Sequence, residues 1–91
     1  MGEVRAGVDR LDLALVELLA ERFRYMAAAA RIKPERGQVR DEPRKAEVIA
    51  QAEARARELG LPAGIVAAMW DLLVEGSIAY EMERFDALRQ A

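Results

Sequence analysis

The stretch "VDRLDLALVELLAERFRYMAAAARIK", residues 8–33, contains neither glycine nor proline. Its apolar residues Val8, Leu11, Leu15, Leu18, Leu19, Met26 and Ala29 follow the spacing of three and four that marks one buried helical face. Carried back through Gly7, the pattern predicts a helix from about Val4 to about Ile32. At about 1.5 Å per residue such a helix exceeds roughly 40 Å, more than a compact monomer of this size needs, so it is expected to pack against more than its own chain. Two cations interrupt the face. Arg22 and Lys33 are eleven residues apart, and at about 100° per residue they return to within roughly 20° of one another.

Two breaks divide the rest of the chain. In "KPERGQVRDEP", Pro34 biases Lys33 away from the α region, Gly37 permits a turn, and Asp41 followed by Pro43 reads as an N-cap and an early-helix proline. A second helix is predicted from about Glu42 to Leu59, with Val48, Ile49, Ala52, Ala56 and Leu59 inward. In "ELGLPAG", Gly60 reads as the residue just past that helix and Pro62 as the start of the next. The third helix, about Ala63 to Arg89, turns Val66, Trp70, Leu73, Val74, Phe85 and Leu88 to one side, with Ser77 and Glu81 inside the same stripe. No strand pattern or internal repeat is present. The expectation is an all-α chain of three helices forming one domain over residues 1–91.

Composition narrows the chemistry. The 91 residues are 53% hydrophobic and 33% charged, with net charge -2, as in ordinary globular domains. Fourteen basic residues are scattered among sixteen acidic ones, so no basic stripe points to nucleic acid. There is no cysteine or histidine, which excludes disulfides, Cys/His metal sites and histidine-based acid–base or triad chemistry. No apolar run is expected to approach the ~20 residues that span a bilayer, so no membrane partner is expected and a cytoplasmic location is the default.

The informative residues are therefore polar ones in apolar stripes: Arg22, Lys33, Ser77 and Glu81, with Asp41 at the second helix start. A buried charge must be paired or bind something, because an unpaired one costs several kcal/mol. Arg22 pairing with Glu81, Lys33 reaching solvent at a helix end, Ser77 bonding back to its own helix and Asp41 capping would account for all five structurally. The alternative is an anion site inside a helical bundle. Arg5 lies seventeen residues, about 25 Å of helix, from Arg22. It can meet Arg22 around one small ligand only from a second, antiparallel chain.

The succession "RAGVDRLD", "LLAERFRY", "ARIK", "VRDEPRK" and "LLVEGSIAYE" resembles the all-helical, AroQ-type chorismate mutases over nearly the whole chain. The resemblance implies an intertwined homodimer whose long first helices pair, with two equivalent sites and no cofactor. It implies a small dianionic substrate, chorismate, rearranged to prephenate without nucleophile or proton transfer. Arg22 would grip one carboxylate and the neighbour's Arg5 the other, while Lys33 would bond the ether oxygen and a carboxylate. Asp41 would lie near that lysine and the ring hydroxyl, Arg44 beside the site, and Ser77 on a carboxylate. Glu81 stands where the family usually has a glutamine that donates to the ether oxygen. An ionised glutamate there would repel the developing charge, so activity is expected to fall as pH rises through its titration.

Lys45 departs from the pattern by occupying the position of a glutamate that commonly binds the ring hydroxyl. The related isochorismate pyruvate lyases, which resemble residues 8–33, also lack that glutamate. Lys45 thus favours the lyase, and Ser77 with the "VRD" turn favours the mutase. A third alternative is a helical dimer without catalysis, retained as a regulatory module.

Overall fold

A computed structural model describes residues 1–90. The chain runs α1 (Gly2–Ile32), a short 3-10 turn (Arg36–Gln38), α2 (Glu42–Glu58) and α3 (Ala63–Arg89), with no strand among the described residues. The expected helices are all present. The first begins two residues earlier than its apolar pattern and the second ends one residue sooner.

The breaks follow from local chemistry. Lys33 adopts an extended backbone (φ -64°, ψ 129°) before Pro34, as the proline ring demands. Asp41 Oδ1 accepts the Arg44 N–H at 3.0 Å and starts α2, with Pro43 in its first turn. Past the end of α2, Gly60 takes φ +73°, a conformation costly to any side chain. This lets the N–H of Leu61 reach Ala56 O at 2.8 Å and that of Gly60 reach Arg57 O at 3.1 Å, which satisfies two terminal carbonyls. The 3-10 turn, unforeseen in the first break, is closed by Glu35 N–H donating to Gln38 Oε1 at 3.1 Å.

α3 is the middle helix. Both α1 and α2 pack on it, and they do not pack on each other. The core gathers where the C-terminal half of α1 meets the C-terminal half of α3: Ala30, Val39 and Phe85 are buried, flanked by Ile78 and Met82. Phe23 and Tyr80 stack edge to face, centroids 5.0 Å apart, a favourable aromatic geometry.

Two expectations about burial and one about hydropathy are corrected. Leu11, Leu15 and Leu18, on the face expected to turn inward, are each more than half exposed. Only the later turns of α1 have α3 beside them, and the molecule measures 54 × 26 × 15 Å, so the first half of the helix outruns its own chain. Leu59 and Leu88, expected inside, are 57% and 46% exposed at the ends of α2 and α3. Finally, α3 is long and apolar enough by length and composition to cross a membrane, contrary to the expectation that no run would be. It is the helix on which both others pack, and it buries Ser77 and Glu81.

Candidate active site

Because α1 and α2 flank α3 without meeting, a cavity of about 260 Å³ remains between them. α1 lines it with Arg22, Met26, Ala29 and Lys33, one stripe at spacings of four, three and four. α3 contributes Val74, Ser77, Ile78 and Glu81, and the start of α2 contributes Asp41, Arg44, Lys45 and Val48. Gln38 and Val39 from the 3-10 turn complete the wall. An open trough of about 560 Å³ adjoins it through Lys33, Gln38 and Asp41.

Inside the cavity, two side-chain contacts join the α1 stripe to α3. Arg22 Nη1 donates to Ser77 Oγ at 2.5 Å, and Ser77 Oγ donates to Leu73 O at 2.7 Å. Lys33 Nζ donates to Glu81 Oε2 at 2.7 Å. The pairing of Arg22 with Glu81 allowed by the sequence is therefore not made; the lysine takes the glutamate and the arginine takes the serine. Ser77 does bond back to its own helix, and Asp41 does cap α2 while also lining the cavity.

Arg22 has no carboxylate partner among the described residues, and burial pushes its guanidinium pKa down by disfavouring the charged form. A half-buried cation with one neutral hydrogen bond retains capacity for an anion. With Arg22, Lys33, Arg44 and Lys45 against Asp41 and Glu81, the lining carries more positive than negative side chains in a chain whose net charge is negative.

The other cations are held at the rim. Arg44 Nη1 pairs with Glu47 at 2.6 Å. Lys45 Nζ lies 3.1 Å from Asp71 and 3.2 Å from Glu75, and hydrogen bonds to Asp71 and then Glu75 raise its pKa. Arg40 completes this clamp between α2 and α3 with two bonds to Glu75, at 3.1 and 3.0 Å. Hydrogen bonds from Arg40 and then Lys45 hold the Glu75 carboxyl below its ordinary value of 4.5. A depressed carboxyl pKa means the clamp's contribution is present above that value and lost as pH falls through the depressed one. Thermal melts between neutral and acid pH are expected to show a shallower acid-side decline in Glu75→Gln than in the parent.

Of the residues singled out in the sequence, Arg22, Lys33, Asp41, Arg44, Lys45, Ser77 and Glu81 all line this one cavity. Arg5 does not; it is exposed near the start of α1, about 25 Å along the helix from Arg22. Gln38 was not foreseen, because a three-residue turn has no periodicity to read. Among the described residues, no cluster of three or more His, Cys, Asp or Glu could hold a metal.

A three-helix chain with a cation-lined cavity between its first, second and third helices defines the class, and residues 4–82 match the family model of chorismate mutase type II. The chain belongs to that family. It is also similar to the isochorismate pyruvate lyase of Pseudomonas aeruginosa, 28% identical over 91 residues, which covers all of this chain and 90% of the relative.

Proposed function

We propose that this protein is a chorismate mutase, an isomerase of the shikimate pathway to the aromatic amino acids, which converts chorismate to prephenate. The observation that carries the reading is the pair Arg22 and Lys33 on one stripe of α1. They stand about 16 Å apart along the axis, with only Met26 and Ala29 between them on the cavity wall. Long cationic side chains at both ends and an apolar wall of Met26 and Ala29 between them suit a compact dianion.

The reaction is pericyclic: the ether C–O bond breaks as a C–C bond forms, and negative charge gathers on the oxygen. Catalysis then consists of holding the reactive conformer and placing positive charge at that oxygen. Arg22 holds one carboxylate through its planar fork, with Ser77 beside it. Lys33 serves the ether oxygen, and Asp41 the ring hydroxyl. The other carboxylate falls to Arg5 of the partner subunit. A homodimer is supported by the exposed stripe Val8, Leu11, Leu15 and Leu18, too long an apolar surface to leave in water, and the reading places the enzyme in the cytoplasm.

In the free protein Glu81 engages the charge that Lys33 must present. Glu81→Gln is expected to raise turnover at neutral pH by about tenfold or more, since the amide leaves the ammonium uncompensated and adds a donor. A steady-state comparison at neutral pH with no gain argues against Lys33 as the group at the ether oxygen.

A second reading, isochorismate pyruvate lyase yielding salicylate and pyruvate, is favoured by the Pseudomonas relative and by Lys45 on the cavity wall. Either enzyme should bind an oxabicyclic mimic of the rearranging dianion and melt at a higher temperature in its presence. An unchanged melting temperature would favour a helical dimer without catalysis.

A further inference from the structure

We infer that Arg89 is a positioning residue for Lys33: its guanidinium bridges two carbonyls of the terminal turn of α1 and fixes where the Lys33 side chain leaves the helix. The inference rests on the proposed role of Lys33 at the ether oxygen.

The need for such a bridge arises at Pro34. In a continuing helix the carbonyl of Ala30 would accept the N–H of residue 34, but proline has none. Ala30 is fully buried with Arg89 in place, and an unpaired buried carbonyl is costly. Arg89 Nη1 donates to Ala30 O at 3.0 Å, and Nη2 donates to Lys33 O at 2.7 Å. One planar group thus closes both ends of the last turn, and a cation at a helix C-terminus also suits the helix dipole.

Arg89 is itself held in place. Its guanidinium carbon lies 3.5 Å from the centroid of the Phe85 ring, and Nη1 also donates to Phe85 O at 3.3 Å. Phe85 is buried with Ala30 and Val39, and Val39 lines the cavity. One turn earlier, Asp86 accepts from Arg36 Nε at 2.9 Å, so the end of α3 holds the 3-10 turn as well. Arg89 lies outside residues 4–82, the part matched to the family. It touches none of the cavity surface, and its effect reaches the site through the Lys33 backbone.

Arg89→Met keeps an unbranched stem over Phe85 and removes every donor; Arg89→Lys keeps the charge and restores a compact donor. Two quantities decide the matter in the full chain: amide hydrogen exchange at Lys33, whose N–H bonds Ala29 O at 2.9 Å, and steady-state kinetics. In Arg89→Met, exchange at Lys33 should accelerate while that at Leu61, at the far end of α2, stays constant. kcat should fall about tenfold or more with KM changed little, because misplacing a catalytic group costs rate rather than binding. Arg89→Lys should recover part of both. Unchanged exchange at Lys33 overturns the inference even if neither chorismate nor isochorismate is consumed, an outcome that would separately sink the proposed function. Faster exchange with unaltered kcat overturns it too, as does full recovery by lysine, which would mean that charge alone is needed. Should Arg89→Met not fold, the same two readings on Arg89→Lys decide, with parental exchange and kcat counting against the inference.

Discussion

Arg22→Ala is expected to lower turnover by about 10²–10³-fold and to leave the melting temperature unchanged or slightly raised. Loss of activity without loss of stability distinguishes a ligand-binding cation from a structural one. In the free protein the Arg22 guanidinium is partly withdrawn from water, with its pKa lowered by burial and, among the described residues, only Ser77 as its hydrogen-bond partner. Truncation relieves that desolvation. It also orphans no hydroxyl proton, since Ser77 Oγ still donates to Leu73 O. Prephenate formation and a thermal melt on one preparation check both halves; a melting temperature that drops in step with activity would make Arg22 part of the scaffold.

Lys33→Ala should be as damaging to turnover but for a second reason also costs stability. The Glu81 side chain is 5% exposed and has Lys33 as its ion-pair partner. Without the ammonium it is a buried carboxylate lacking compensation, a loss of about 1–3 kcal/mol or more. Adding Glu81→Gln to Lys33→Ala removes that charge, so the double variant should regain much of the stability and none of the activity. Denaturant midpoints for the parent, the two single variants and the double variant measure the coupling. Recovery of turnover in the double variant would remove Lys33 from the chemistry.

What the sequence could disclose divides along physical lines. Pro34, Asp41 with Pro43, and Gly60 with Pro62 act through their own backbone torsions, so the breaks were legible residue by residue. Arg22 and Lys33 share a face because helical geometry alone dictates it. Their partners were not legible: whether Arg22 meets Ser77 or Glu81 depends on how α1 slides along α3, and one turn of shift exchanges the two. The apolar spacing of Leu11, Leu15 and Leu18 shows that a face wants cover, while saying nothing of which chain supplies it. Likewise Lys45 was recognisable as an odd charge at the site, but its engagement by Asp71 and Glu75 requires the packing of α2 on α3. Arg89 sits at the last turn of a helix, where a basic residue is ordinary; its hold on Ala30 and Lys33 appears only in three dimensions.

Whether this cavity rearranges chorismate is decided by incubating the purified protein separately with chorismate and isochorismate and identifying the products. Prephenate is expected from chorismate, with salicylate and pyruvate from isochorismate absent or minor. Salicylate and pyruvate as the dominant products, or no turnover of either compound, would contradict the mutase reading.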